Sequence, residues 1–359
     1  MNILVFMSTQ GPSNTHRPEC EIYLGLARHG QSVTVVTDGN SEYANIFRQN
    51  GIKVINQQPR RKICFESINV LRKELNEKHY DIVYASNSKS IPNAAFACIG
   101  FPAKMITYRG TTGGLYRHDP TAYLTHLHPR VDGVICVSNT VRDDVRNSVW
   151  RNQDKVVTIY KGHNLEWYNK APADLTEFGI YEQDFVLICA VNARPSKGIP
   201  VMIEAANQLA DIENLHLLLV GKNMQQYANI IEQNKMRDRI HVTGYRLDAP
   251  ELIMASDLLI QPSISGEGLP RAVMEAMGYG TPSIITTAGG GKEVIENNVT
   301  GLIVPRGDAT AIADKVRSLY KHPERITEMS KHCKEAIANQ YSSENTVLEY
   351  IKYFEQITP

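Results

Sequence analysis

Short runs of β-branched and aliphatic residues alternate with helix-period segments along nearly the whole chain, and this alternation constrains the fold more than any other feature. In the first half the strand candidates are 2–6, 33–37, 81–85, 104–108, 133–137 and 156–160. Helical stretches at 18–29, 65–78, 120–130 and 139–148 lie between them, the first entered at Pro18. In the second half the strands are 185–190, 215–220, 240–243, 257–260, 282–286 and 301–304. Their helices are 199–210, 224–235, 249–255, 270–278, 292–296 and 309–320. Strands at this spacing with helices between them form βαβ units and a parallel sheet. The series runs twice, broken by a polar stretch at 161–183 whose Gly162, Asn164, Asn169, Pro172 and Gly179 suit a linker. The expected fold class is α/β, with two Rossmann-like, doubly wound parallel-sheet domains. Ligands in such sheets lie beyond the carboxyl ends of the strands, so two facing domains would trap one in the cleft between them.

The expected division is 1–168, 169–340 and a terminal helix within 341–359. Along 343–356 Val347, Tyr350, Ile351 and Phe354 share one face, which requires something to pack on. A length of 359 residues suits two domains, each able to bury a core. The cysteines Cys20, Cys64, Cys98, Cys136, Cys189 and Cys333 are scattered, without a CxxC or a Cys/His cluster, so neither zinc nor a disulfide framework is indicated. Several sit in apolar strand-like runs and read as buried free thiols. The N-terminus opens directly on a strand, with no leader pattern. No apolar run reaches membrane-spanning length, and a cytoplasmic protein is the expectation. Net charge is zero but unevenly spread: residues 1–168 carry 20 Lys and Arg against 14 Asp and Glu, and the remainder 18 against 24. A basic N-terminal half favours an anionic acceptor or peripheral contact with an anionic inner membrane face. No nucleic-acid partner is expected.

The most informative segment runs from Gly266-Glu267-Gly268-Leu269-Pro270 through Glu275 to Gly280-Thr281-Pro282. It follows the strand Asp257–Ile260 and the polar loop Gln261-Pro262-Ser263-Ile264-Ser265. Pro270 suits the first turn of a helix, and Gly280 its end. Gly266 and Gly268 let backbone approach a ligand, and the helix N-terminus offers free N–H groups to a phosphate. Glu267 and Glu275 are separated by roughly 12 Å at helical rise. That is about the reach from a sugar across a diphosphate to a ribose. A carboxylate at each end can accept hydrogen bonds from sugar hydroxyls.

This segment resembles the Glu-x7-Glu signature of GT-B glycosyltransferases, specifically family 4 of the retaining group 1 enzymes. Asn192-Ala193-Arg194-Pro195-Ser196-Lys197-Gly198 resembles the family's Arg…Lys-Gly loop. Gly221 and Gly244-Tyr245 stand at expected glycine positions. Gly289-Gly290-Gly291-Lys292-Glu293 and Gly301-Leu302-Ile303-Val304 match the family's ending. The resemblance is specific over 185–320 and weaker over 1–184.

The resemblance implies an N-terminal acceptor-binding domain, a C-terminal donor-binding domain, and a last helix crossing back onto the first. Domain closure around the donor would then form the acceptor site. It implies a retaining, metal-independent transfer from a UDP- or GDP-linked sugar to a saccharide or lipid-linked acceptor, in surface polysaccharide or lipopolysaccharide synthesis, with no cofactor. Arg194 and Lys197 would neutralise charge growing on the diphosphate. Glu267 would hold donor-sugar hydroxyls and Glu275 the ribose. Gly266, Gly268, Leu269, Pro270 and Gly221 would contact the donor by backbone, with Tyr245 and Arg246 at the base. No protein nucleophile is required for attack from the leaving-group face, and no Asp-x-Asp occurs to bridge a metal. The N-terminal half departs from the family pattern. Its first loop reads Ser8-Thr9-Gln10-Gly11-Pro12-Ser13, Arg109 stands where a His is usual, and the linker reads Lys161-Gly162-His163-Asn164. Gly11, Arg109 and His163 are the candidates there for acceptor or donor-sugar contact. Two further readings are a nucleotide-sugar-binding subunit without turnover and a sugar-nucleotide epimerase.

Overall fold

The computed structural model describes residues 1–358. The chain forms two compact units: Met1–Gly162 joined by the chain from Ser343 onward, and His163–Ser342.

The first unit contains β1 (Asn2–Phe6), α1 (Ser13–Arg28), β2 (Ser32–Thr37), α2 (Glu42–Gln49), β3 (Lys53–Asn56) and α3 (Phe65–Glu77). It continues with β4 (Ile82–Ala85), α4 (Ser90–Ala97), β5 (Lys104–Arg109), β6 (Gly133–Cys136), α5 (Asn139–Ser148) and β7 (Val156–Thr158). The seven strands are parallel, in the order β3-β2-β1-β4-β5-β6-β7. Strand alternation sends Ile3 and Val5 to one face and Leu4 and Phe6 to the other. Helices α3 and α4 cover the second face, and α1 and α2 cover the first.

The second unit contains β8 (Phe185–Ala190), α6 (Ile199–Gln208), β9 (Leu215–Val220), α7 (Ala228–Glu232), β10 (Ile240–Gly244), α8 (Ala249–Met254) and β11 (Leu258–Gln261). Then follow α9 (Arg271–Tyr279), β12 (Ser283–Thr286), β13 (Gly301–Val304), α10 (Ala309–Tyr320) and α11 (Pro323–Asn339). Its six strands are also parallel, in the order β10-β9-β8-β11-β12-β13. The expected pair of doubly wound parallel sheets is therefore what forms.

The last helix, α12 (Ser343–Ile357), returns to the first unit. Its Val347, Tyr350, Tyr353, Phe354 and Ile357 are buried in the core shared with α1 and β1. Burying each such side chain contributes about 1.5–3 kcal/mol. Helices α1 and α12 touch at Gly25, where an added Cβ would lie 2.3 Å from Val347 Cγ2. Thr346 Oγ1 accepts from Gly162 N and donates to Tyr160 O, each at 2.9 Å.

Several local details differ from the sequence reading. Helix α1 begins at Ser13, behind Pro12, and carries Pro18 inside it, where the imino ring removes one intrahelical hydrogen bond. The segment 120–130 holds only a 3-10 turn at Pro120–Leu124, and 292–296 reduces to a 3-10 turn at Gly289–Glu293. Helix α2, strand β3 and helix α4 are not among the expected elements: α2 is a short amphipathic helix burying Tyr43, Ala44 and Phe47, β3 is a short edge strand, and α4 is small-residue-rich and buried almost all round. The units divide after Gly162 rather than after residue 168, because Tyr168 packs edge-on against Tyr279 and close over Gly278 of α9. Five of the cysteines are buried and all are free. Among the described residues no helix is long and apolar enough to cross a membrane.

Candidate active site in the second unit

In the second sheet the chain runs outward one way from β8 through β9 to β10, and the other way from β11 through β12 to β13. The reversal lies between the neighbours β8 and β11, and a crevice opens beyond their carboxyl ends at such a point. Lys197 follows β8 and Glu267 follows β11.

Two loops interlock there. After β8 the backbone makes a 3-10 turn at Pro195–Lys197 and passes through Gly198, whose φ of 68° is left-handed. A Cβ at Gly198 would stand 1.9 Å from Pro262 O, so only glycine allows this approach. Ile264 N and Ser265 N both donate to Ser196 O, at 2.8 and 3.3 Å. The β9 loop joins through Gly221, whose φ is 141° and whose added Cβ would meet Val191 O at 1.9 Å. Gly289, with φ of 71°, lies against the backbone of Glu267 in the same manner.

This scaffold brings Lys197 and Glu267 into an ion pair, Nζ to Oε1. Glu267 is 5% exposed. Its Oε1 also accepts from Ser263 Oγ at 2.6 Å and from Gln261 Nε2 at 3.1 Å. Gln261 Nε2 further donates to Ser263 Oγ at 2.9 Å. Three donors thus converge on one oxygen, while no donor reaches Oε2 among the described residues. A charged pair withdrawn from water persists when further hydrogen bonds satisfy it, and Ser263 and Gln261 supply them. Neither was a sequence candidate. Their signal is chemical: a polar side chain ending an otherwise apolar strand, and another two residues beyond it.

Pro270 caps the start of α9, and no side chain caps that end. Its first N–H groups, with the positive end of the helix dipole, remain available to an anion. Glu275 is buried within α9, its carboxylate 3.3 Å from Arg271 Nε. Gly266 is exposed with φ of 73°, Gly268 is buried, and Leu269 is half-buried. Arg194 is exposed and has no partner for its guanidinium among the described residues. Tyr245 is 48% exposed beneath Lys222, whose Nζ lies 4.8 Å from the ring centre. Arg246 is differently engaged: it donates to Asp248 at 2.8 Å and to Glu177 at 2.7 Å. Those hydrogen bonds raise its pKa and hold its donors on protein carboxylates.

Of the three remaining candidates, Gly11 and Arg109 belong to the first unit and His163 opens the second. Gly11 is exposed in the loop after β1, with φ of 108°. Arg109 ends β5 and donates to Thr111 O at 2.9 Å and to Gly113 O, within its own loop. Burial lowers its pKa, against the pull of Asp144. His163 is 3% exposed, stacked on Tyr168 and hydrogen-bonded to its hydroxyl through Nδ1. Among the described residues no three His, Cys, Asp or Glu side chains converge as a metal site.

The chain is similar to known glycosyltransferases over both units. Residues 172–340 match the family described as glycosyl transferases group 1, and residues 20–167 match glycosyltransferase family 4. The N-acetyl-alpha-D-glucosaminyl L-malate synthase of Bacillus anthracis is 28% identical, over 90% of this chain and 89% of that one. An Escherichia coli UDP-Gal:alpha-D-GlcNAc-diphosphoundecaprenol alpha-1,3-galactosyltransferase is 25% identical, over 77% of this chain and 76% of its own. Among solved structures, Anabaena HepE in complex with UDP superposes with a TM-score of 0.80 at 18% identity, covering 99% of this chain and 100% of that one.

Proposed function

The chain belongs to the group 1, family 4 glycosyltransferases of GT-B fold, and from that premise we propose that it transfers a sugar from a nucleoside diphosphate to a saccharide or lipid-linked acceptor with retention of anomeric configuration. The observation that carries the donor assignment is the asymmetric Glu267 carboxylate. Oε1 is anchored by Lys197, Ser263 and Gln261, which leaves Oε2 to accept hydroxyls of the donor sugar. The uncapped start of α9 takes the diphosphate, and Glu275 the ribose. Charge developing on the departing phosphate is stabilised by Lys197 and the unpartnered Arg194, without a metal. No side chain is assigned as nucleophile; the acceptor oxygen attacks on the leaving-group face.

The relatives support a nucleotide-sugar donor. HepE was solved with UDP and with UDP-glucose, and the Escherichia coli relative is named for UDP-Gal and a diphosphoundecaprenol acceptor. Relatives named for lipopolysaccharide biosynthesis support a product among surface glycans.

The test is turnover on a panel of UDP- and GDP-sugars. Nucleotide release should fall about 100-fold or more in Glu267→Ala and Lys197→Ala, and a chelator should leave the wild-type rate unchanged. Wild-type rates in both variants would remove the role assignment. One observation favours a second reading, a nucleotide-sugar-binding subunit: Arg109 replaces the family's His and is bonded into its own loop. Saturable nucleotide binding with no transfer to any acceptor would select that reading.

A further inference from the structure

The loop between β3 and α3 reads Arg60-Arg61-Lys62-Ile63-Cys64 and runs into Phe65, the first residue of α3. Its three cations are exposed, and none is ion-paired or hydrogen-bonded through its side chain among the described residues. Beside them Ile63 is 39% and Phe65 77% exposed. Soluble surfaces scatter single apolar residues, but an aromatic ring this open, next to consecutive cations, marks a contact surface.

The loop is held in place. Asn93 of α4 is 0% exposed and accepts from Cys64 N at 2.7 Å. Its Nδ2 donates to Arg61 O and Lys62 O, each at 3.2 Å. The backbone is therefore clamped from beneath, and the side chains are left at the surface by a fixed frame.

We propose that this loop docks the protein on an anionic lipid bilayer, with Arg60, Arg61 and Lys62 against headgroup phosphates and Phe65, with Ile63, in the interfacial layer. Charge selects the surface: the loop holds three cations in a half of the chain that carries 20 Lys and Arg against 14 Asp and Glu. The apolar pair selects a bilayer over a soluble polyanion, which would engage the cations and leave Phe65 in water. The proposal localises the membrane contact of the functional reading, and its test needs neither donor nor acceptor, so either can fail without the other.

The experiment is sedimentation of the full chain with phosphatidylglycerol-containing vesicles and with pure phosphatidylcholine vesicles, at low and high salt. Binding to the anionic vesicles alone, weakened by salt, is expected. The triple variant Arg60→Gln, Arg61→Gln, Lys62→Gln should bind on the order of tenfold to a hundredfold more weakly. Phe65→Ser should lose about tenfold. All these positions are exposed, and unchanged melting temperatures would confirm that the variants fold. Absence of vesicle binding, or wild-type binding by the triple variant, overturns the proposal. So does wild-type binding by Phe65→Ser, which would leave only a general attraction to polyanions.

Discussion

Glu267 accepts three hydrogen bonds on one oxygen, and that asymmetry governs what the side chain can do. Anchoring Oε1 fixes the carboxylate plane before any ligand arrives, so little ordering is required when a hydroxyl reaches Oε2. Ser263 should therefore matter to catalysis without touching the substrate. Ser263→Ala removes one hydrogen bond to a charged group, and kcat should fall about tenfold or more. UDP affinity should change little, because the diphosphate is assigned to α9 and the basic residues. Steady-state kinetics with UDP titration checks this, and equal losses in both would point to collapse of the site. Both members of the Lys197–Glu267 pair could be named from the sequence, since each lies in a glycine-marked loop after a strand. The anchoring could not. It depends on Ser196 O and Gly198 meeting the 262–265 loop across the sheet, a contact between residues far apart in the chain. His163 shows another case: a histidine in a linker suggests chemistry, and only the structure shows that its ring is buried and stacked on Tyr168.

At the scale of elements, the strands with strong apolar runs were readable because a buried parallel strand must be apolar on both faces. The elements that escaped are those whose identity comes from their neighbours. Helix α4 contains Ala94, Ala95 and Ala97, and its helical state follows from close packing in the core with α3 rather than from an amphipathic stripe. Helix α12 was legible as a helix, and its buried stripe includes three of the four residues that share its apolar face, with Ile351 only partly buried. Its closest approach is Gly25 against Val347, a contact no single-segment pattern reveals. Gly25→Ala puts a methyl group where a stiff β-branched side chain already stands, and should destabilise the first unit by about 1–3 kcal/mol. Adding Val347→Ala should recover part of that loss. Thermal unfolding of the single and double variants reads the coupling directly, and additive effects would show that the two positions do not compete for the same space.

For the molecule as a whole, each unit holds a histidine that burial keeps neutral. In the first, burial and then the nearby Arg109 pull His126 down to about 3, with Nδ1 2.9 Å from Thr107 Oγ1. In the second, burial and then His216 bring His241 down to about 4. In the unfolded chain both titrate near the ordinary value of about 6.5. Below that pH the unfolded state binds protons that the folded state refuses, so stability is full above about 6.5 and declines as the solution is acidified. His126 alone should cost about 1.4 kcal/mol per pH unit through that window. Melting temperatures measured from pH 7 to pH 5 should fall, and His126→Asn should flatten the curve. The return of α12 to the first unit also bears on biosynthesis. On the ribosome, residues 1–162 emerge first, yet the part of their core that receives Tyr350 and Phe354, beside α1, stays uncovered until residues 343–357 have been made. At ordinary elongation rates that interval is roughly 10–40 s. The half of the chain born first is thus completed last, and the second unit, whose strands and helices are contiguous, can reach its native state while the first still waits for its closing helix.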